Sequence, residues 1–453
     1  MIRRSRRRTF HVSLLTIIVA APLGNAAALA GDFVDHLPGV SASAVAQTAA
    51  AGVERRAAGK LTLGLDGLSD AFQSHQDAIR RGSILPAPFV SDSPLLPVTD
   101  TAVVLDAVAT ADGEALAAAM RDTGIEVLAV SGKVVSARVA LDRLDALEAL
   151  PELAFARPAL AQTSVGSVTS QGDEAQGSDL ARANYSVDGS GYQVGVLSDS
   201  FDCAGTGSYA DDVSTGDLPE GVDVLSDLTA DCIDEGRAMA QLVYDVAPGV
   251  TLSFHTAFNG EADFAQGIID LRAAGADIIV DDVGYFAAPF FQDGVVAQAV
   301  DQVVADGAAY FSSAGNSARQ SYEAAFNPGT IYAQDAFTGN ATFWGGQAHD
   351  FDPGAGVDEF QQIDCGTGLQ IIQSPQWDTP FPSLGDPTPG VDLDFYVFDD
   401  PPTTVLGASD AYQLGGADPV EIIGGTCTGT LNLMIVAFSQ PANPTLIKIV
   451  DFG

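Results

Sequence analysis

The sequence predicts an α/β protein in which a parallel sheet with helices on both faces is preceded by a ferredoxin-like unit and followed, or interrupted, by an antiparallel β-sandwich. Strand-like and helical segments alternate over residues 185–335, a pattern typical of parallel sheets covered by helices. Residues 101–160 follow the order βαββαβ of a split βαβ unit. Residues 336–453 lack helical periodicity and carry short alternating runs between Gly, Pro and Asp clusters.

The composition indicates an acidic protein that is large enough for several domains. The chain has 453 residues, with 59 Asp and Glu against 20 Lys and Arg, and its formal net charge is -39. Hydrophobic residues make up 47% of it, which is enough to form buried cores. Because such a charge repels phosphate backbones, we expect no nucleic-acid partner.

Residues 1–30 are predicted to be a signal peptide. A cluster of arginines precedes the short apolar run Val12–Ala21, and Ala28-Leu29-Ala30 offers small residues for cleavage. The apolar run is too short to span a bilayer comfortably, and no later stretch predicts stable membrane insertion. Arg7-Arg8 also resembles a twin-arginine signal, so either general secretion or the twin-arginine route is open. We expect a secreted, periplasmic or extracellular protein.

The four cysteines are expected to form disulfides, because exported proteins fold under oxidising conditions. Four cysteines allow three pairings, and pairing by proximity in the sequence gives Cys203 with Cys232 and Cys365 with Cys427. Their spacings match no zinc knuckle, so a metal role is the weaker interpretation.

Two segments precede the parallel sheet. Residues 31–100 are Ala-rich and then Pro-rich, which predicts a loosely structured leader. Residues 101–160 form the βαββαβ unit, and Pro151 ends its second helix. Its strands are predicted at Ala102–Val108, Ile125–Ser131, Val134–Val139 and Leu153–Arg157, and its helices at Asp112–Arg121 and Leu141–Leu150.

The parallel sheet is expected after a Ser-, Gly- and Gln-rich linker at about Ser164–Gly177. Strands are predicted at Gln193–Leu197, Thr251–Phe254, Asp277–Val280 and Ala308–Ser312, and helices at Glu235–Ala247, Glu261–Ala273 and Gly294–Ala305. Only four or five parallel strands can be placed before the β-rich stretch, so the sheet is expected to be incomplete in this chain.

The β-rich region is predicted from short alternating runs. These runs are Leu369–Ile372, Leu393–Phe398, Leu431–Phe438 and Thr445–Val450. Asp392 and Asp394 alternate with apolar residues, which is typical of a half-buried strand. Clustered carboxylates can also bind Ca²⁺, but no calcium-loop spacing is present, so a solvated strand edge is favoured and calcium is the one cofactor left open.

Three polar residues at strand or helix ends are the candidate catalytic groups. Asp199 follows a buried strand, Glu235 begins a helix, and Asn316 follows the last parallel strand. A carboxylate pair with an amide donor suits acyl transfer, provided that a nucleophile exists.

Together these segments resemble the subtilases, the subtilisin-like serine peptidases. By resemblance, Asp199 is the strand-end catalytic Asp, and Ser313-Ala314-Gly315-Asn316 is similar to the Ala-Ala-Gly-Asn segment that carries the oxyanion Asn. Asp245-Val246-Ala247-Pro248-Gly249 resembles the end of the family's histidine helix. The family's fold places the N-terminal part of a catalytic domain at residues 185–335.

The resemblance also implies substrates and partners. Asp282 and Gly284 fall where a subtilase lines its substrate cleft, which implies that they bind a protein or peptide substrate. The unit at residues 101–158 resembles the inhibitory, chaperone-like propeptide of the family, which implies that the chain's own propeptide is a partner.

Two features depart from the family pattern. Glu235-Gly236-Arg237 stands where subtilases have His-Gly-Thr, and the family's Gly-Thr-Ser-x-Ala-x-Pro segment is absent after Asn316. The related sedolisins use a Ser-Glu-Asp triad, in which the Asp follows the Glu by four residues on the same helix. That position is Met239 here, so the chain combines a subtilase-type Asp199 with a sedolisin-like Glu.

The missing nucleophile leaves three alternatives. In the first, the catalytic domain is interrupted by an inserted β-domain and its Ser-bearing part lies beyond this chain. In the second, the protein is a pseudopeptidase that binds proteins or peptides without cleaving them. In the third, another serine, such as Ser313 or Ser317, is the nucleophile. The expected function is that of a secreted serine endopeptidase with an Asp/Glu pair in place of Asp/His, inactive as this truncated chain. The second alternative, a non-catalytic binding module, is the competing hypothesis.

Overall fold

The computed structural model describes residues 59–81, 88–91, 96, 98–99, 101–163, 171–205, 207–317, 319–387, 390–438, 444 and 446–452. The predicted signal peptide at residues 1–30 lies outside the described residues, as does part of the predicted leader and linker. None of the helices in the described parts of the chain has the length and apolarity needed to span a bilayer.

The leader contains a packed helix. Helix α1 (Leu65–Arg80) buries Leu65 and Leu68 in the apolar core of the unit that follows. The preceding Leu61 is also buried and pairs with Ala156 as a short parallel bridge. The prediction of a loosely structured leader is therefore wrong for residues 59–81, because polar residues surrounding a few leucines obscured the helical spacing.

The βαββαβ unit is observed as predicted. It consists of β1 (Ala102–Ala109), α2 (Gly113–Asp122), β2 (Glu126–Ser131), β3 (Val134–Ala140), a 3-10 turn (Leu141–Arg143), α3 (Leu144–Glu148) and β4 (Leu153–Pro158). The strands form an antiparallel sheet in the order β2-β3-β1-β4. Asp112 caps α2 by accepting a hydrogen bond from the Glu114 amide at 3.2 Å.

The middle of the chain forms the predicted parallel sheet. Its strands are β6 (Gln193–Ser198), β7 (Asp223–Ser226), β8 (Thr251–Thr256), β9 (Ile278–Asp281) and β11 (Ala309–Ser312). All pairs are parallel, in the order β11-β9-β6-β8-β7. β7 was not predicted because it is short and largely exposed.

Helices cover both faces of this sheet. The longer helices are α7 (Glu235–Val246), α8 (Glu261–Ala273) and α9 (Val295–Ala305), and the short ones are α4 (Gly172–Gln176), α5 (Ser178–Tyr185) and α6 (Tyr209–Thr215). Val196 of β6 packs with Ala240 of α7, whereas the next residue, Leu197, packs with Ile268 of α8. Alternate side chains of a central strand thus enter two cores, which explains the continuous apolar run.

The βαββαβ unit lies on α8. Its Val134 and Phe155 join the apolar cluster that contains Phe264 of α8. Asp106 of β1 accepts a hydrogen bond from the Glu261 amide at 3.3 Å, so a carboxylate of this unit lies at the N-terminus of α8.

The β-rich region is one nine-stranded sheet, mostly antiparallel, with both faces covered. Its strands are β12 (Ser321–Ala324), β13 (Pro328–Tyr332), β14 (Thr338–Gly339), β15 (Gly346–His349), β16 (Gln361–Trp377), β17 (Leu393–Phe398), β18 (Thr404–Ser409), β19 (Ile423–Ala437) and β20 (Ile447–Asp451). Phe395 and Phe398 of β17 enter apolar clusters on opposite faces. The predicted antiparallel β-structure of this region is confirmed, and its two covered faces are consistent with the predicted β-sandwich.

The acidic run before and within β17 is buried. Asp392 and Asp394 are both fully buried; Asp394 accepts a hydrogen bond from the Tyr396 hydroxyl, and Asp392 accepts one from the Gln413 amide. The interpretation as a solvated strand edge is wrong, because β17 lies between β18 and β19 in the sheet.

Candidate active site

The candidate residues meet at one edge of the parallel sheet. Asp199 directly follows β6, Asp282 directly follows β9, and Asn316 lies in the turn after β11. These three strands are neighbours and run in the same direction, so their carboxyl ends share an edge.

Asp199 is buried and anchors the start of α7. Its carboxylate accepts hydrogen bonds from the backbone amides of Ile233 and Glu235, both at 2.8 Å, and from the Ser200 hydroxyl at 2.7 Å. It thereby fixes the backbone of Glu235, and its negative charge lies at the positive end of the helix dipole.

The turn before α7 is held by Asp234. This residue adopts a left-handed backbone conformation, and its carboxylate accepts hydrogen bonds from the amides of Cys203 and Ala204 and from Arg237. Burial by itself would raise its pKa, but these hydrogen bonds keep the pKa below its usual value. Gly236 is required here, because a Cβ atom would lie 2.8 Å from the Ser200 carbonyl oxygen and clash with Phe254.

Both predicted disulfides are confirmed. Cys203 is bonded to Cys232 and Cys365 to Cys427, with Cα–Cα distances of 5.7 Å in each. The first ties the loop after Asp199 to the segment before α7, so it holds the two halves of the site together. The second joins β16 to β19.

Glu235 is the first residue of α7 and is half-buried. Its charge is one of those that raise the pKa of Asp282, which brings the two side chains into one electrostatic site. One turn further along α7, Met239 packs against the apolar core on that face of the sheet. Met239 is therefore a core position of α7.

Asp282 is the most perturbed carboxyl group at this edge. Its side chain is only 7% exposed, and neither carboxylate oxygen makes a hydrogen bond of normal geometry with a described residue. Burial raises its pKa to about 7, the nearby Ser198 hydroxyl opposes the shift, and the charges of Glu235, Asp281 and Asp199 add to it. Asp282 is therefore poised to hold or share a proton.

A cavity of about 330 Å³ opens beside these groups. Asp282, Gly284 and Asn316 line one side, and Lys448 and Phe452 of the β-rich region line another. Gly315 adopts a positive φ of 67°, which turns the chain so that Asn316 follows it on the exposed side of the cavity. The structure thus brings together the predicted oxyanion donor and both predicted substrate-binding residues.

An extended segment of the chain pairs with a strand that lines this cavity. Strand β5 (Ala161–Thr163) pairs antiparallel with β10 (Val283–Tyr285), and Gln162 lies opposite Gly284. The Phe286 amide continues the ladder by donating to the Leu160 carbonyl oxygen at 3.3 Å. Sequence analysis did not find β5 or β10, because three-residue strands show no measurable periodicity.

Two histidines, His255 and His349, have defined partners away from Glu235. His255 lies in β8 beside the Thr256 carbonyl oxygen, and Gly267 of α8 approaches its ring. His349 bonds to the Tyr322 hydroxyl and the Asn327 amide, and burial lowers its pKa to about 4.

Within the described residues, no group of three or more His, Cys, Asp or Glu side chains is arranged to hold a metal ion. Calcium binding stays a prediction from the sequence.

No protein-family model and no curated protein matches this chain. Among solved structures, the epidermin leader peptide processing serine protease EpiP from Staphylococcus aureus is similar with 10% identity over 48% of this chain and 61% of that chain, at a TM-score of 0.29. Fervidolysin from Fervidobacterium pennivorans, described as a keratinolytic enzyme related to subtilisin, is similar with 15% identity over 51% and 44% of the two chains, at a TM-score of 0.30. The matched region is less than two thirds of either protein.

Proposed function

We propose that this chain belongs to a secreted serine endopeptidase of the subtilase type, in which Asp199 and Glu235 replace the usual Asp and His. One observation carries the proposal: strand β5 lies antiparallel on β10, whose Gly284 lines a cavity together with Asp282 and Asn316. Adding a strand to an exposed edge is how peptidases and other peptide-binding proteins hold an extended peptide. The two disulfides fit an oxidising compartment.

The site's own residues supply most of an acyl-transfer mechanism. The Glu235 carboxylate accepts the proton of an attacking serine hydroxyl, and Asp199 holds the backbone of Glu235 in place. The Asn316 amide donates to the oxygen that becomes negative when the peptide carbonyl is attacked. The same proton then passes to the leaving amine, and water hydrolyses the acyl-enzyme. Asp282 can share the proton, since its pKa of about 7 is far above that of an ordinary Asp.

The serine itself is proposed to lie in a segment that follows the β-rich region. Two features of the fold support this. β11 is an edge strand with Phe311 60% exposed, which leaves an uncovered side where further strands can pair. The first and last strands of the β-rich region, β12 and β20, pair with each other, and Ser321 lies opposite Val450. A domain whose ends are adjacent is suited to insertion within another.

The βαββαβ unit is proposed to act as an inhibitory propeptide. Its sheet covers α8, and the segment that follows it occupies the edge of β10 as β5. A unit that covers a surface of the catalytic domain and blocks its cleft stabilises the fold and prevents premature cleavage. The protein substrate and this propeptide would therefore occupy the same strand position.

The first experiment is to read the genomic DNA for about 200 codons after that of Gly453, enough for the rest of an ordinary domain. An in-frame Gly-Thr-Ser-x-Ala-x-Pro segment is expected. A genuine stop codon without it would overturn the peptidase proposal in favour of a non-catalytic, peptide-binding protein.

The second experiment uses the serine-bearing chain and a fluorophosphonate probe with a peptide substrate between pH 3 and 7, an interval around the reference pKa values of Glu and His. Glu235→Gln is expected to lower kcat/KM by at least about 100-fold. Glu220→Gln, at an exposed loop position, is the matched control and should leave it unchanged. Equal activity of the two variants would exclude Glu235 as the base.

A further inference from the structure

The side chain of Leu160 lies in an apolar pocket built by two domains. Leu160 directly precedes β5, and it is 7% exposed. Its pocket contains Phe286 and Ala287 from the segment after β10 and three residues of the β-rich region: Phe381, Val420 and Ile422. All five are at most 5% exposed. The β-rich region and the segment after β10 therefore form this pocket together.

The β-rich region also fixes the backbone that forms the other half of the pocket. Gln376 of β16 donates to the Ala288 carbonyl oxygen at 2.8 Å and accepts from the Phe290 amide at 2.9 Å. Ser374 of the same strand donates to the Phe286 carbonyl oxygen. Ser374 and Gln376 are fully buried, so these bonds are made away from solvent and hold Phe286 in one position.

The pocket is aligned with the peptide-binding strand. The Leu160 carbonyl oxygen accepts from the Phe286 amide, and the ladder continues through Gln162 opposite Gly284 to Thr163 opposite Val283. A peptide bound in this register presents the side chain of its residue at the Leu160 position to Phe381, Val420 and Ile422. Backbone pairing supplies affinity that does not depend on sequence, whereas such a pocket supplies selectivity.

We propose that the β-rich region is a specificity element: its pocket selects peptides with a large aliphatic side chain at the position that Leu160 occupies. The occupant is an extended peptide, for which residues 160–163 are the example present in the structure. This inference rests on the proposed function where it calls that peptide a substrate, but selective binding needs no nucleophile and can be measured on this chain.

The first test uses the full chain with Leu160→Asp, since an apolar pocket does not accept a carboxylate and the chain's own segment should leave the cleft. Fluorescence anisotropy then measures binding of a labelled peptide with the sequence of Ala159–Thr163, and of the same peptide with Ala in place of Leu. We expect the Leu peptide to bind about tenfold more tightly or better. Adding Ile422→Ala should reduce this ratio to about threefold or less. Adding Val405→Ala, which removes a buried side chain from a different cluster, should leave it unchanged.

A second measurement needs no peptide and keeps the native segment. In the otherwise unchanged chain, hydrogen exchange at the Phe286 amide reports how often Leu160 leaves the pocket. Leu160→Ala should speed this exchange about tenfold, whereas Leu160→Met should leave it unchanged. The effect of Leu160→Ala should be smaller when Ile422→Ala is also present, but not when Val405→Ala is also present.

The outcomes separate this inference from the proposed function. Equal binding of the two peptides, or equal exchange effects in both backgrounds, overturns the specificity pocket and leaves proteolysis untouched. If neither peptide binds, the exchange series decides. A chain that discriminates between the peptides, but whose serine-bearing form is not labelled by the fluorophosphonate probe, retains the pocket and loses the peptidase proposal.

Discussion

Two buried carboxyl groups, those of Glu261 and Asp282, have pKa values raised to about 7, but their surroundings differ. Glu261 lies where the βαββαβ unit, the parallel sheet domain and the β-rich region meet, 3.3 Å from Arg157. Asp282 lies at the candidate active site and has no hydrogen bond of normal geometry with a described residue. Burial is the main cause of both shifts, so the pKa alone does not reveal which group is functional.

The difference lies in the surroundings. Arg157 of β4 bonds both Glu261 of α8 and Asp418 of the β-rich region, the latter at 2.7 Å, so one buried cation joins three domains. Asp106 adds another carboxylate to this junction, and burial, together with the charges of Asp106 and Asp418, keeps the pKa of Glu261 high despite Arg157. Asp282 instead lines a cavity that is open to a ligand. A buried carboxyl group that is paired with a cation between domains indicates a role in holding those domains together. A buried carboxyl group that is unpaired and faces a cavity indicates a role in catalysis or binding.

The largest effect is expected for Arg157→Met. Removing the cation leaves three buried carboxyl groups without it, so the free energy of unfolding at pH 7 should fall by about 3–5 kcal/mol. The loss should be smaller at pH 5, because the carboxyl groups can then take up protons. Urea denaturation at the two pH values measures both.

Arg138→Met is the matched control, because Arg138 pairs with Glu126 at 3.9 Å on the surface and should change stability by less than about 0.5 kcal/mol. Equal losses for the two variants would show that the junction is no stronger than a surface ion pair.

A smaller effect, with a defined pH dependence, is expected for Glu261→Gln. The pKa of Glu261 is higher in the folded chain than in the unfolded one, so its contribution to stability is complete below pH 4.5 and is lost as the pH rises through 7. The free energy of unfolding of the unsubstituted chain should therefore fall by about 3 kcal/mol more across this interval than that of the variant. Denaturation curves from pH 4 to pH 8 measure the difference.

Glu323→Gln, at the partly exposed pair with Lys448, should retain the slope of the unsubstituted chain. If the Glu261→Gln curve also runs parallel to it, the junction does not hold a protonated carboxyl group at neutral pH.

Much of the parallel sheet could be predicted because its strands are continuous apolar runs. Burial on both faces of β6 leaves no polar residue until Ser198 and Asp199, so the strand end and the candidate catalytic position are visible together. The predicted bounds of the helix Glu261–Ala273 match both ends of α8. β16 was predicted as four residues and is 17 residues long, because glycines and polar residues interrupt its pattern while its pairing with β19 and β20 continues.

The parts that sequence analysis missed depend on contacts between distant segments. Arg157 looks like an ordinary charge at the end of a strand, and only the folded chain places it beside Asp418. The same holds for β5, whose three residues become a strand because β10 offers them an edge. Asp282 was expected to bind substrate, but nothing in a single sequence could show that it would be buried near Glu235.

The smallest effect is expected for Asp282→Asn, and its direction distinguishes Asp282 from Glu261. Because the pKa of Asp282 is also higher in the folded chain, ionising it costs stability as the pH rises from about 4 through 7. The Asn variant should be about 1–2 kcal/mol less stable than the unsubstituted chain near pH 4, because its buried amide lacks hydrogen-bond partners, and about 1–2 kcal/mol more stable at pH 8, as measured by urea denaturation. Asp281→Asn is the control: Asp281 accepts hydrogen bonds from Ser312 and the Val283 amide, so losing its carboxylate should weaken the fold. If Asp282→Asn weakens the fold at every pH as Asp281→Asn does, then Asp282 is a structural group like Glu261, and the proton at the candidate site must be assigned to Glu235 alone.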